Sequence, residues 1–368
     1  MKIGVLTSSR ADFGIYLPLL KLFKADNFFN LNIIAFGTHL SSSFGTTINE
    51  IVNSGFEVAI SVDTMPDTDT PHDITASMGK AMINFSKVWE NNNFDYLLAL
   101  GDRFEMFAAC ASAVPFNIPI AHIHGGEETS GAIDNVFRHC ITHMASCHFV
   151  TTKLYKQRVV KLIGVDKNIF NVGALSIDNL SNLNLLSIEN FKNTFGIDLS
   201  LKTILITFHP ETVEFEKNYE YIQELVSALE DLPSYQLVIT MPNADTMGNV
   251  IRKELLSLKE RKSNIFCIES FGAIGYLSCM KHCTMMLGNT SSGFVEASFF
   301  PKYVINLGKR QFGRIVTENI RNCEIKKVSI LDAINEYDSF YISASRIKIY
   351  GNGKAAEQIV YYLKSFHV

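Results

Sequence analysis

The chain is expected to fold as two Rossmann-like, doubly wound α/β domains in tandem, each a parallel sheet covered by helices on both faces. Three observations predict this. Its 368 residues suffice for about two domains. Short, nearly continuous apolar runs alternate with amphipathic segments of helical length, as parallel sheets buried on both faces require. The alternation stops at a polar Asn/Ser/Lys-rich stretch, 179–202, and then starts again. A content of 47% hydrophobic and 19% charged residues excludes an intrinsically disordered chain.

Taken in order, the first half places strands at 2–7, 31–36, 58–62, 96–100, 118–123, 148–151 and 169–172. Apolar residues at helical spacing over 15–23, 74–89 and 104–113 predict helices between them. The polar, proline-bearing stretch 63–73 reads as a surface loop. In the second half the strands are 203–208, 236–241, 265–268, 284–287 and 303–306. The domains are therefore drawn as 1–180 and 181–352, with a closing helix at about 353–368 available to pack back on the first. No short repeat suggests a solenoid.

Ligands of such sheets bind beyond the carboxyl ends of the strands, so the residues just after each strand carry the functional information. After the first strand, Arg10 can clamp a phosphate by two parallel hydrogen bonds, or pair with Asp12 instead. After the fourth come Gly101, Asp102 and Arg103, which form either a reactive rim or a structural ion pair with an Asp cap. The fifth runs into His122-Ile123-His124-Gly125-Gly126-Glu127, and Asp134 then opens a helix containing Arg138, His139 and His143. Glycines beside carboxylates and histidines give adaptable backbone and proton-transfer groups in one place.

In the second half His209 ends one strand and Asn243 follows another. Gly288-Asn289-Thr290-Ser291-Ser292-Gly293 exposes successive backbone N–H groups before a helix, a nest suited to a diphosphate. Glu296, a turn further on, suits the two hydroxyls of a ribose, and Lys309, Arg310 and Arg314 add cations after the next strand.

A formal net charge of −4 leaves no positive field to draw the chain to nucleic acid or anionic lipid. No apolar run approaches the roughly 20 residues needed to span a bilayer. The seven cysteines are scattered and odd in number, which suits reduced thiols and a cytoplasmic setting better than a disulfide framework. His139, Cys140, His143, Cys147 and His148 cluster, but without the short Cys-x-x-Cys spacing of structural zinc sites, so no metal is expected.

In this order the motifs SSRADF (8–13) with Gly14, GTHL (37–40), LGDRFE (100–105), HIHGGE (122–127), IDNVFRH (133–139), FHPET (208–212), GNTSSGFVE (288–296), INLGKRQFGR (305–314) and the closing NGKAAEQIV (352–360) resemble the UDP-N-acetylglucosamine 2-epimerase family. The resemblance is closest to its hydrolysing branch in bacterial nonulosonic acid synthesis. It implies the glycosyltransferase-B architecture, two domains facing across a cleft, in a homodimer or homotetramer. Carried over, Arg10, Thr290, Ser291 and Glu296 hold the UDP phosphates and ribose, Arg103 and Arg310 fall in the same nucleotide-sugar site, and His39, Asn243, Asn289, Ser292 and Arg314 are expected to bind substrate or UDP. Asp102, Asp134 and His209 fall on catalytic or substrate-binding positions. Some hydrolysing members carry a Glu where this chain has His124, which leaves His124 or Glu127 to take that acid's role. The implied reaction releases UDP and an inverted 2-acetamido sugar without a cofactor. The expected substrate is UDP-N-acetylglucosamine, giving N-acetylmannosamine and UDP for sialic acid synthesis, with UDP-N,N′-diacetylbacillosamine of legionaminic acid synthesis as the alternative.

Overall fold

The computed structural model describes residues 1–41, 47–65, 68, 70–211, 213–242, 247–300, 302–339 and 347–366; Asn243 lies outside them. By packing, the chain divides into two compact units, Met1–Glu127 with Asp134–Asn182 and Ile349–Val368, and Glu128–Ile133 with Leu183–Lys348.

Unit 1 begins with β1 (Lys2–Thr7), α1 (Arg10–Ala25), β2 (Asn30–Phe36), α2 (Ile48–Asn53), β3 (Val58–Val62), α3 (Pro71–Asn91) and β4 (Tyr96–Leu100). It continues with α4 (Phe104–Ala113), β5 (Ile120–Ile123), α5 (Asp134–Met144), β6 (Cys147–Val150), α6 (Lys153–Ile163), β7 (Ile169–Asn171) and α7 (Leu175–Asn182). The sheet order is β3-β2-β1-β4-β5-β6-β7, and every pairing is parallel. Successive side chains point to opposite faces, so Val5, Leu98 and Leu100 enter one core with α1, while Leu6, Leu97 and Ala99 enter another with α3 and α4. This double burial is why the strands read as unbroken apolar runs.

Unit 2 comprises α8 (Ile188–Phe195), β8 (Thr203–Thr207), α9 (Asn218–Glu230), β9 (Gln236–Thr240), α10 (Gly248–Arg261) and β10 (Ile265–Ile268). Then follow α11 (Gly272–His282), β11 (Met285–Gly288), α12 (Glu296–Phe299), β12 (Val304–Leu307), β13 (Ile320–Cys323) and α13 (Lys327–Asn335). Its parallel sheet runs β10-β9-β8-β11-β12-β13. Ile204 and Ile206 face the core of α9, α10 and α13, and Leu205 and Val238 face that of α8 and α11.

The final helix, α14 (Ala355–Ser365), belongs to unit 1. Asp178 on α7 accepts from the N–H groups of Ala355 and Ala356 at 3.0 and 2.7 Å, capping the helix from 177 residues away. Tyr362 stacks on Phe170 of β7 at 3.8 Å.

The sequence reading places the strands within one or two residues, with three differences. β13 has no counterpart among the expected strands, because an edge strand with a half-exposed IRNC sequence has no apolar run to announce it. The polar 179–202 stretch contains α8, whose single buried apolar residue is Phe191. α3 starts at Pro71, inside the expected loop, with Thr70 as its cap.

Candidate functional site

In each sheet the strand order reverses once, between β1 and β4 in unit 1 and between β8 and β11 in unit 2. The two chains leaving such a point in opposite directions open a crevice at the strand ends, and most of the candidate residues lie there.

In unit 1, Asp102 follows β4 and forms an ion pair with Arg138 of α5. The same guanidinium lies 3.6 Å from Glu127 and donates to the carbonyl of His124 at 3.2 Å. Glu127 also accepts from the Thr151 hydroxyl at 3.1 Å and lies 3.5 Å from His124 Nδ1. One buried cation thus gathers Asp102, Glu127 and His124. Asp134 precedes Arg138 by one helical turn, which puts both on one face of α5. Exposure of the side chains is 3% for Arg138 and 1% for Glu127 but 22% for Asp102, so Asp102 is the acid open to a ligand. His124 has φ +68, a left-handed conformation that histidine tolerates better than most residues and that ends the β5 pleat.

Asp102 does not pair with its neighbour Arg103. That guanidinium instead binds the buried Glu105 through two bonds of 3.1 Å. At the end of β1, Ser9 and Asp12 form a reciprocal cap for α1, and Asp12 also accepts from Thr7 Oγ1, Ser8 N–H and Ser8 Oγ at 2.6–2.9 Å. This loop presents Arg10 as the first residue of α1. His39 is fully buried behind it, one ring nitrogen 2.9 Å from Thr7 Oγ1 and the other 3.0 Å from Thr47 Oγ1. Both nitrogens are engaged, so His39 braces the β1 loop and does not reach a ligand. Burial holds its imidazole below the ordinary range, against the opposing pull of Asp12.

In unit 2, Asn289 spans the switch point. Its side chain accepts from His209 N–H at 2.7 Å and donates to His209 carbonyl at 2.8 Å. Its own N–H goes to Thr207 carbonyl at 3.1 Å. Asn289 is fully buried and therefore sets the backbone of His209 rather than facing a ligand. The approach requires glycine at 288, where φ is +142 and a Cβ would meet Thr207 carbonyl at 2.0 Å. Ser291–Gly293 form a single 3₁₀ turn, and α12 has only four residues. Any anion contact here comes from local N–H and hydroxyl groups, since so short a helix carries little macrodipole. Thr290 and Ser292 hydroxyls lie 3.1 Å apart, and Tyr276 OH touches Ser292 Oγ at 2.5 Å.

The loop after β12 is held by Glu211, a residue that the sequence does not mark as part of the site. Glu211 accepts from Lys309 N–H at 2.6 Å, and burial pushes its carboxyl above the ordinary value. Arg310 donates to Pro210 carbonyl at 3.3 Å, and Arg314 to Gln311 at 2.6 Å, while Gln311 donates to Asn289 carbonyl at 2.8 Å. His209, Asn289, Arg310 and Arg314 therefore form one connected assembly. Segment 128–133 packs on the same loop. Ser130 N–H bonds Phe312 carbonyl at 2.9 Å, and a Cβ at Gly131 would meet Lys309 carbonyl at 2.2 Å. The sequence signal for Arg138 and Glu211 was their place inside IDNVFRH and FHPET; nothing local showed what they hold.

Two buried histidines lie side by side beneath the unit 1 cluster, His122 on β5 and His148 on β6. Burial pushes their imidazoles down to about 3 and about 4. The unfolded chain, with histidine near 6.5, binds protons in that window that the folded chain refuses, so stability is lost as pH falls below about 6.5. At pH 5 the loss is about 2 kcal/mol for each histidine. The urea midpoint should drop between pH 7.5 and pH 5, and His148→Leu should reduce the drop. Equal midpoints at the two pH values contradict this account.

Among the described residues no group of three or more His, Cys, Asp or Glu side chains is arranged to hold a metal ion, and no helix is long and apolar enough to cross a membrane.

Comparison with known proteins bears on this geometry. The family model described as UDP-N-acetylglucosamine 2-epimerase matches residues 21–364. The chain is 34% identical over 325 residues to the GDP/UDP-N,N′-diacetylbacillosamine 2-epimerase (hydrolyzing) of Campylobacter jejuni, covering 88% of this chain and 84% of that protein. It is 31% identical over 370 residues to the UDP-N,N′-diacetylbacillosamine 2-epimerase (hydrolyzing) of Legionella pneumophila, covering 99% and 96%. The fold matches that of the UDP-GlcNAc 2-epimerase from Neisseria meningitidis bound to UDP-GlcNAc, with a TM-score of 0.84 and 19% identity over 99% of this chain and 100% of that one. A match over most of the chain, agreeing with two parallel sheets and polar strand ends, makes this chain a member of the UDP-N-acetylglucosamine 2-epimerase family.

Proposed function

We propose that the chain hydrolyses a UDP-linked 2-acetamido sugar with inversion at C2, releasing UDP and the free epimer. The observation that carries this reading is the Arg138 cluster, which brings Asp102, Glu127 and His124 together at the strand ends of unit 1. In the first step a carboxylate removes the C2 proton while the C1–O bond breaks, giving a 2-acetamidoglucal and UDP. In the second, water adds at C1 and a proton returns to C2 from the other face. Asp102 and Asp134 serve as the acid/base pair, Glu127 and His124 assist, and His209 positions water or the leaving group. The UDP anion is held by Arg10, Thr290, Ser291, Ser292, Arg310 and Arg314, with Glu296 on the ribose and Arg103 toward the sugar. Asn289 and His39 act by positioning. No cofactor enters this scheme.

UDP-N,N′-diacetylbacillosamine is the favoured substrate, since two relatives above 30% identity carry that name. UDP-N-acetylglucosamine is the second reading, on the description of the family model. Incubating the protein with each sugar and following UDP release decides between them.

The route predicts its own isotopic record. In heavy water the free product should carry deuterium at C2, and in ¹⁸O water its anomeric oxygen should be labelled. A non-hydrolysing epimerase yields deuterium at C2 on a sugar that keeps its UDP. A free, inverted sugar without C2 deuterium rejects the elimination route. The nucleotide assignment is checked separately by calorimetry. Glu296→Ala and Arg310→Ala should each weaken UDP binding about 10-fold or more, the scale of a lost charge-assisted hydrogen bond. Unchanged affinity in both variants moves the nucleotide elsewhere.

A further inference from the structure

His122 takes no part in the scheme above, yet it lies fully enclosed beside the groups that do. It is fully buried, with Nε2 2.8 Å from Gly101 carbonyl and Nδ1 3.1 Å from Thr142 Oγ1. A carbonyl oxygen has no hydrogen to give, so Nε2 carries the proton. The ring is neutral: burial opposes a charge, as do His148 on β6, Arg138 on α5 and His124 at the end of β5. Nδ1 is therefore bare and accepts. Thr142 has one hydroxyl hydrogen and two acceptors in reach, His122 Nδ1 and, at 2.9 Å, Arg138 carbonyl. The carbonyl keeps its helix-ladder bond in either case, whereas the buried Nδ1 meets no other donor among the described residues, so the hydrogen goes to the imidazole.

These bonds form a brace. Gly101 immediately precedes Asp102, and its φ of +79 turns the chain there. Thr142 lies one helical turn beyond Arg138, whose guanidinium holds the Asp102 carboxylate. The β4 loop is thus tied to α5 twice, through the backbone of Gly101 by way of His122 and through the carboxylate of Asp102 by way of Arg138. We propose that His122 is a positioning residue for the reaction, fixing the Asp102 loop against α5 without exchanging a proton with substrate. The proposal rests on the reading of Asp102 as an acid/base group.

The bond to Gly101 is testable because glutamine can replace it: its amide N–H extends about as far as Nε2–H, whereas leucine offers none. His122→Leu should lower kcat by about 10- to 100-fold, the scale set by a displacement of order 1 Å in a reacting group. KM and the calorimetric affinity for UDP should stay within about twofold, and His122→Gln should recover kcat to within about fivefold of wild type. Wild-type kcat in both variants, or equal loss in both, overturns the proposal. If His122→Leu does not fold, Thr142→Val replaces it, with a several-fold loss of kcat expected and an unchanged kcat overturning the brace. A second readout needs no activity. In ¹⁵N-histidine-labelled protein the signal missing from His122→Gln should show the neutral Nε2–H tautomer without titrating from pH 5.5 to 8.5. An Nδ1–H tautomer, or titration near 6.5, overturns the assignment. A wild-type chain that releases no UDP from either sugar defeats the proposed function instead, and the tautomer measurement still judges the brace.

Discussion

Asp102→Asn is expected to lower the rate of UDP release by about 100-fold or more, the scale on which general acid–base catalysis is lost. The amide keeps the carboxylate's shape but cannot take up and return a proton. It also gives up the charge that Arg138 holds, so the position of the group should loosen as well. Of the acids gathered by Arg138, Asp102 is the more exposed, which is why the largest effect is expected there and not at Glu127. Asp134→Asn should fall in the same range, because Asp134 stands on the same face of α5 as Arg138. The measurement is initial UDP release under saturating substrate, with circular dichroism to confirm the fold. Near-normal rates in both variants would move the chemistry to other groups at the strand ends.

Arg138→Met should be the most destabilising single change in the site. The substitution fills much of the same volume but takes the Arg138 guanidinium away from Glu127, which is almost fully buried. Removing one partner of a buried ion pair costs about 3–5 kcal/mol, since the remaining charge stays out of water. In a unit of this size that corresponds to a fall in Tm of roughly 10 °C. Adding Glu127→Gln removes the remaining charge and should recover more than half of the loss, while doing nothing for turnover. A Tm within 2 °C of wild type for Arg138→Met would mean that the carboxylates do not depend on it.

Much of this protein is legible along the chain. The strands of both sheets are visible because each is covered on two faces, leaving runs such as Leu97–Leu98–Ala99–Leu100 with no polar interruption. The site is legible to the same depth: in parallel sheets function gathers after the strands, which is where Arg10, Asp102, His124, His209 and Thr290 stand. β13 is hidden because half its residues face solvent at the sheet edge and carry no apolar signature.

Side-chain partnership behaves differently. Asp102 and Arg103 are neighbours, yet Asp102 pairs with Arg138, 36 residues on, and Arg103 with Glu105. His39 and Asn289 sit in motifs that read as ligand contacts, yet both are fully buried and spend their polar atoms on the loops beside them. Local sequence determined which segments become strands and helices, and which residue types reach the sheet ends, because those follow from burial periodicity and loop chemistry that short stretches already contain. Which carboxylate meets which cation, and whether a polar side chain faces outward or braces the backbone, was decided only by the tertiary structure. Those outcomes depend on distances between groups that the chain brings together from far apart, and on whether a buried donor finds an acceptor there.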